Sequence, residues 1–167
     1  MNIYIIADTH FNHQNIIWFA HRPFKDVEDM NKTMIKNWND TVNDDDLIIH
    51  LGDFVYGGIK KIKEIKNQLN GIMMLIKGNH DKMYRMRACN INTVKQFIVI
   101  KNLFLTHEPA QAPNGFVNVH GHTHTWNSWN GINACVEQTN YKPVNIKEYY
   151  IKAKELLGGG ECLQGEK

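Results

Sequence analysis

Short apolar runs that break off at polar residues recur along this chain. NIYIIA, residues 2–7, is a β-branched run that stops at Asp8, and DLIIHL, 46–51, stops at Gly52-Asp53. IMMLI, 72–76, ends at Gly78-Asn79. FIVI and LFLT, 97–100 and 103–106, flank Lys101-Asn102 and predict a hairpin that ends at His107. FVNV, 116–119, leads into His120 and Gly121, and GINACVE, 131–137, is a last strand candidate.

Between these runs the apolar period lengthens to three and four. Val27, Met30, Met34, Ile35, Trp38 and Val42 fall on one helical stripe, with Asp26 placed to cap it. A second helical segment, 57–70, puts Ile59, Ile62, Ile65 and Leu69 on a buried side and the lysines of KKIKEIK on a solvated one, with Gly71 as its stop. A third, 146–157, carries Ile146, Tyr149, Tyr150, Ala153, Leu156 and Leu157. The ending GGGECLQGEK, 158–167, has no periodicity and reads as a flexible tail. Strand and helix alternate early, which predicts parallel pairing, and the later hairpin adds antiparallel pieces. The expected class is α/β with a mixed sheet or two packed sheets. No repeat or linker divides residues 1–157, which read as one domain.

Composition narrows the function classes. Nineteen Lys and Arg against 17 Asp and Glu give a net charge of only +2, which supplies no case for a dedicated nucleic-acid-binding domain. Cys89, Cys135 and Cys162 are odd in number and form no CxxC pair, which argues against a disulfide framework and against a zinc-thiolate site. MNIYIIADTH has no basic region or cleavage site of a signal peptide, and no apolar stretch approaches membrane-spanning length. A soluble cytoplasmic protein, without a membrane partner, is the expectation.

The polar residues that end the apolar runs form one chemical set. In α/β proteins the carboxyl ends of strands line the ligand crevice. Here those ends carry Asp8 and His10, then Asp53, then Asn79, His80 and Asp81, then His107, then His122 and His124. Any one of these alone reads as a turn or a capped surface residue. Turns use Gly, Asn and Asp but have no need of imidazoles, so their joint occurrence points to a site. Carboxylate, carboxamide oxygen and imidazole suit divalent metals such as Mn²⁺, Fe, Zn²⁺, Co²⁺ or Ni²⁺. Asp8, His10, Asp53, Asn79, His107, His122 and His124 are the candidate ligands. One tetrahedral ion leaves some of them over, whereas two ions sharing a bridging carboxylate use them all.

The order Asp8-Thr9-His10, Gly52-Asp53, Gly78-Asn79-His80-Asp81, His107 and Gly121-His122-Thr123-His124 resembles the calcineurin-like metallophosphoesterases, with all five motif blocks intact. DTHFNHQNII and RPF are further similar to a compact bacterial and phage branch of that superfamily. The resemblance implies a four-layer α/β/β/α sandwich of two mixed sheets flanked by helices. It also implies that Asp8, His10 and His124 hold one metal, that Asn79, His107 and His122 hold the other, and that Asp53 bridges them. Two cations lower the pKa of a bridging water and bind phosphoryl oxygens as charge builds on them. His80 remains to bind a phosphate oxygen or protonate the leaving alkoxide, with Asp81 orienting its ring.

The expected activity is therefore phosphoester hydrolysis with two divalent metals, Mn²⁺ first among them. A phosphodiesterase is preferred by analogy; the alternatives are a phosphomonoesterase, a nuclease on short nucleic acid, or a catalytically inactive scaffold. The substrate class is a small, nucleotide-like phosphate ester, and the chain is expected as a monomer or homodimer. His13 and Arg22 are candidate substrate contacts; the alternatives are a loop residue bonded to backbone for His13 and pairing with a carboxylate for Arg22. His50 and His120, inside apolar runs, read as satisfied core histidines or as groups orienting a ligand. Trp126, Trp129 and Tyr141 are as consistent with loop packing as with stacking on a flat leaving group.

Overall fold

In the computed structural model, which describes residues 1–126 and 131–158, the apolar runs assemble into two sheets. The first contains β1 (Ile3–Ile6), β2 (Leu47–His50), β3 (Ile72–Ile76), β4 (Asn92–Val94) and β9 (Val144–Asn145), in the order β4-β3-β2-β1-β9. All its neighbours are parallel except β9. The second contains β5 (Phe97–Ile100), β6 (Leu103–Thr106), β7 (Val117–His120) and β8 (Gly131–Asn133), in that order. β5 and β6 form the antiparallel hairpin expected around Lys101-Asn102, and the other pairs are parallel.

The central strands are continuous apolar runs because both their faces are covered. Ile6, Ile48 and Leu75 pack with Met30, Met34 and Trp38 of α2 (Val27–Asn39), Ile62 and Ile65 of α3 (Ile59–Lys66) and Met86 of α4 (Met83–Arg87). Ile5, Ile49 and Ile76 turn the other way, onto Leu103, Leu105, Val117 and Val119 of the second sheet. Each such side chain, fully buried, contributes about 1.5–3 kcal/mol. α5 (Ile146–Leu156) adds Ile146, Tyr149 and Ala153 to the inter-sheet core, and Asn145 caps it by accepting from Lys147 N. The architecture is α/β, two mixed sheets flanked by helices.

Asp26 caps α2 by accepting from Asp29 N at 2.8 Å. Other boundaries differ from the sequence pattern. α3 is shorter than 57–70, and Ile59, in its first turn, is exposed; so are Leu156 and Leu157 at the end of α5. The expected strand over 131–137 stops at Asn133. Its chain then changes sheets: Ile132 belongs to the inter-sheet core, Cys135 pairs with Ala7 of the first sheet, and Val136 enters the helical-side core at the start of the 3₁₀ turn Val136–Gln138. α1 (Gln14–Phe19), α4, β4 and β9 go unseen in the sequence because each is too short to show a period. Trp129 and the tail beyond Gly158 lie outside the described residues. Among the described residues no helix is long and apolar enough to cross a membrane.

Candidate metal centre

The parallel register of β1, β2 and β3 aligns Ile6 with His50 and His50 with Leu75, so the loops that follow leave the sheet side by side. Asp8 N donates to Gly52 O, His10 N to Asp53 O and Phe11 N to Phe54 O, all at 2.9–3.0 Å. This zipper holds Asp8, His10 and Asp53 with left-handed backbones, φ 55°, 47° and 58°. His122 and His124 repeat the pattern at 69° and 51°. A non-glycine residue costs on the order of 1–3 kcal/mol in such a conformation, and strain of this kind clusters at functional sites.

Two glycines explain how the side chains come so close. A Cβ on Gly78 would lie 2.2 Å from Asp53 Oδ1, and one on Gly121 would lie 2.2 Å from Asp8 Oδ2. Each glycine precedes one candidate ligand and makes room for a carboxylate from another segment of the chain.

Asp53 sits at the centre. Its Oδ1 accepts from His80 N at 2.9 Å, while Oδ2 lies 3.5 Å from His10 Nε2 and 3.7 Å from His107 Nε2. Asp8 is fully buried; its Oδ2 accepts from His122 N at 2.7 Å and from the Cys135 thiol at 3.3 Å. Burial works against ionisation of Asp8, but the nearby imidazole of His10, 3.7 Å away and too far for a hydrogen bond, and the charges of His107 and His124 prevail and hold it well below the usual carboxylate range. Asp8, His10 and Asp53 converge within 4.8 Å of one another, all buried. Asp8 Oδ1 and His10 Nε2 are buried with no hydrogen-bond partner. Buried polar atoms are rarely left so, and two of them among three converging ligand groups fit a cation.

The other histidines are oriented by their second nitrogens. His107 Nδ1 lies 2.8 Å from Leu51 O, an acceptor only, so this nitrogen carries the proton and Nε2 presents its lone pair. That Nε2 is 2.8 Å from Asn79 Oδ1, and His122 Nδ1 is 3.2 Å from the same oxygen. In this orientation lone pairs of His107 and Asn79 face each other, an arrangement that suits a shared cation and that otherwise calls for the amide to turn its NH₂ toward the ring. His124 Nδ1 donates to Glu137 Oε1 at 3.0 Å, which leaves its Nε2 as the ligating atom. Burial alone would lower the His124 pKa; the Glu137 carboxylate outweighs it and raises it.

Glu137, which the sequence reading leaves out of the site, holds His124 and Arg22 at the candidate centre. The signal was present, a carboxylate ending the apolar run ACV, but it was absorbed into the expected last strand. Arg22 explains why Glu137 is held so firmly. Its side chain is fully buried, with Nε and Nη2 donating to Glu137 Oε1 at 2.9 and 2.8 Å, Nη1 to Thr9 O and Nη2 to Asp8 O. Of the two expectations for Arg22, pairing with a carboxylate is the one found; the substrate contact is corrected, because its donors are spent on Glu137 and on the loop that presents Asp8 and His10.

Asp81 also differs from expectation. Its carboxylate accepts from Asp53 N at 2.7 Å, Phe54 N at 3.2 Å and Gly78 N at 2.9 Å. It satisfies backbone donors of two loops that carry ligand groups, rather than orienting the His80 ring. The His80 ring is half exposed, with Nε2 4.0 Å from Asp53 Oδ2 and its centroid 5.4 Å from that of His10. His13 stands beside it, ring centroids 5.6 Å from His10 and 4.5 Å from Tyr56. His50 is a satisfied core histidine. Burial depresses its pKa to about 3, so the neutral ring accepts from Gly52 N at Nδ1 and contacts Thr9 Oγ1 at Nε2, 3.0 Å away.

The family model of the calcineurin-like phosphoesterases matches residues 1–155. An uncharacterized protein of Methanocaldococcus jannaschii is 40% identical over 160 residues, an alignment that covers 86% of each chain. Among solved structures, a protein of unknown function from Aquifex aeolicus superposes with a TM-score of 0.74 and 27% identity, covering 90% of this chain and 98% of that one. A Pseudomonas putida nuclease superposes with a TM-score of 0.51 and 22% identity, covering 73% of this chain and 60% of that one, a likeness of fold.

Proposed function

Because this chain belongs to the calcineurin-like phosphoesterase family, we propose that it is a metal-dependent phosphodiesterase with a two-cation centre. The observation that carries the reading is the pair of partnerless buried atoms, Asp8 Oδ1 and His10 Nε2, beside Asp53 Oδ2. Asp8, His10 and His124 would hold one ion, Asn79, His107 and His122 the other, and Asp53 both. Oxygen and imidazole donors without thiolate suit Mn²⁺. When bound, such a pair supplies an activated water and neutralises charge on the phosphoryl oxygens.

The chain's own residues do the rest. Arg22, Glu137 and Asp81 fix the loops, and Leu51 O and Glu137 set the tautomers of His107 and His124. His80 stands at the open rim, where it can give a proton to the departing alkoxide. A diester is favoured over a monoester because Arg22, a group that could neutralise the second charge of a monoester, points into the protein. The protein reconstituted with Mn²⁺ is expected to hydrolyse bis(para-nitrophenyl) phosphate with kcat/KM about tenfold or more above that for para-nitrophenyl phosphate. A preference for the monoester would overturn the diester assignment.

Glu137→Gln tests the support of His124. The amide keeps an acceptor for His124 but loses the charge shared with Arg22. Supporting groups of this kind are typically worth 10–100-fold in metal affinity. Calorimetric titration of metal-free protein is expected to show weakening of that order at one of two sites. Affinities unchanged from wild type at both sites would remove Glu137 from the centre.

A further inference from the structure

Beside the proposed metal centre lies a cavity of about 450 Å³ that the proposed hydrolysis of a minimal diester leaves unused. Tyr56, Gly57, Gly58, Lys82 and Arg85 line it, and it shares Asn79 and His80 with the centre. We infer that this cavity is a subsite for a single-stranded oligonucleotide, taking the nucleotide next to the scissile phosphate on the side of the leaving group. The inference rests on the phosphodiesterase reading and names its substrate class.

Three features point to a nucleotide. The first is position. His80 lines the cavity and its Nε2 lies 4.0 Å from Asp53 Oδ2, so a leaving group that takes its proton departs beside the cavity.

The second is charge. Residues 59–66 and 82–87 carry seven Lys or Arg and one carboxylate, Glu64, in a chain whose total is only +2, so the remainder is net negative. The stem of Lys61 covers Gly57 at the cavity edge, and Lys63 and Lys66 act on the Cys89 thiol just beyond α4. Arg85 uses Nη1 on Gly57 O and Nε on Tyr84 Oη, both at 3.0 Å, and these bonds fix its guanidinium while its other donors remain for an anion. Of these basic groups Lys82 and Arg85 line the cavity itself, a local positive charge that balanced composition over the whole chain conceals and that suits the next phosphate of a strand.

The third is a flat surface. Tyr56 is half exposed and packs against His13 at 4.5 Å, which steadies the ring and leaves it available to a base.

The test compares a short thymidine oligonucleotide with bis(para-nitrophenyl) phosphate, using the full-length protein loaded with Mn²⁺. Tyr56→Ala and Arg85→Gln are each expected to lower the ratio of kcat/KM for the oligonucleotide to that for the small diester about tenfold. Arg85→Gln should also flatten the logarithmic salt dependence for the oligonucleotide by about 0.7, as one lost phosphate contact predicts. Lys147→Ala, on the exposed face of α5, is the charge-matched control and should leave the ratio unchanged. If wild-type protein cleaves the small diester but not the oligonucleotide, or if neither variant changes the ratio, the subsite is refuted and the phosphodiesterase reading stands. If wild-type protein cleaves neither, both fail.

Discussion

Asp53→Asn is expected to abolish turnover, by roughly 10³-fold or more, while leaving the fold intact. The substitution is nearly isosteric, and an amide oxygen can still accept from His80 N as Oδ1 does. The change falls on the other atom. Oδ2 is 3.5 Å from His10 Nε2 and 3.7 Å from His107 Nε2, so it alone faces a ligand group of each proposed ion. An NH₂ group there has no lone pair for a cation and brings a positive dipole end to both. Elemental analysis after desalting is expected to fall from two ions per chain to one or fewer, with an unchanged circular dichroism spectrum. A variant that retains two ions and near-normal turnover would show that Asp53 does not bridge. Loss of folded structure would instead assign Asp53 to the scaffold.

Much of the candidate site is legible in the chain because the candidate ligand groups sit where apolar runs end, and parallel register within each sheet carries those ends to one edge. The two flanking glycines were legible as turns, but their function was not. Gly78 and Gly121 make room for Asp53 and Asp8, which lie far away in sequence. Asp81 reads as a partner of its neighbour His80, whereas its actual partners are backbone groups that only the tertiary fold brings near. Arg22 finds the carboxylate that burial of a guanidinium demands, but which carboxylate is decided by the fold. Glu137 ends an apolar run and so reads as the last residue of a strand.

His80→Ala separates an enzyme from a metal-binding scaffold. The backbone N–H that holds Asp53 Oδ1 survives the substitution, and the half-exposed ring leaves little packing to lose, so both ions should be retained. If the ring donates a proton to the departing oxygen, the loss must depend on how much that oxygen needs it. With an alkyl or nucleoside leaving group, kcat should fall about 10²–10⁴-fold, the range of general acid catalysis. With para-nitrophenolate, which departs without help, the fall should be much smaller. A purely structural role would lower both rates alike, so the slope of rate against leaving-group basicity is the decisive measurement. A uniform loss with both ions retained would place the imidazole on a non-bridging phosphoryl oxygen, where it stabilises charge whatever departs, whereas a uniform loss together with loss of metal would mark the structural role. Undiminished turnover on every ester would leave His80 without a chemical role.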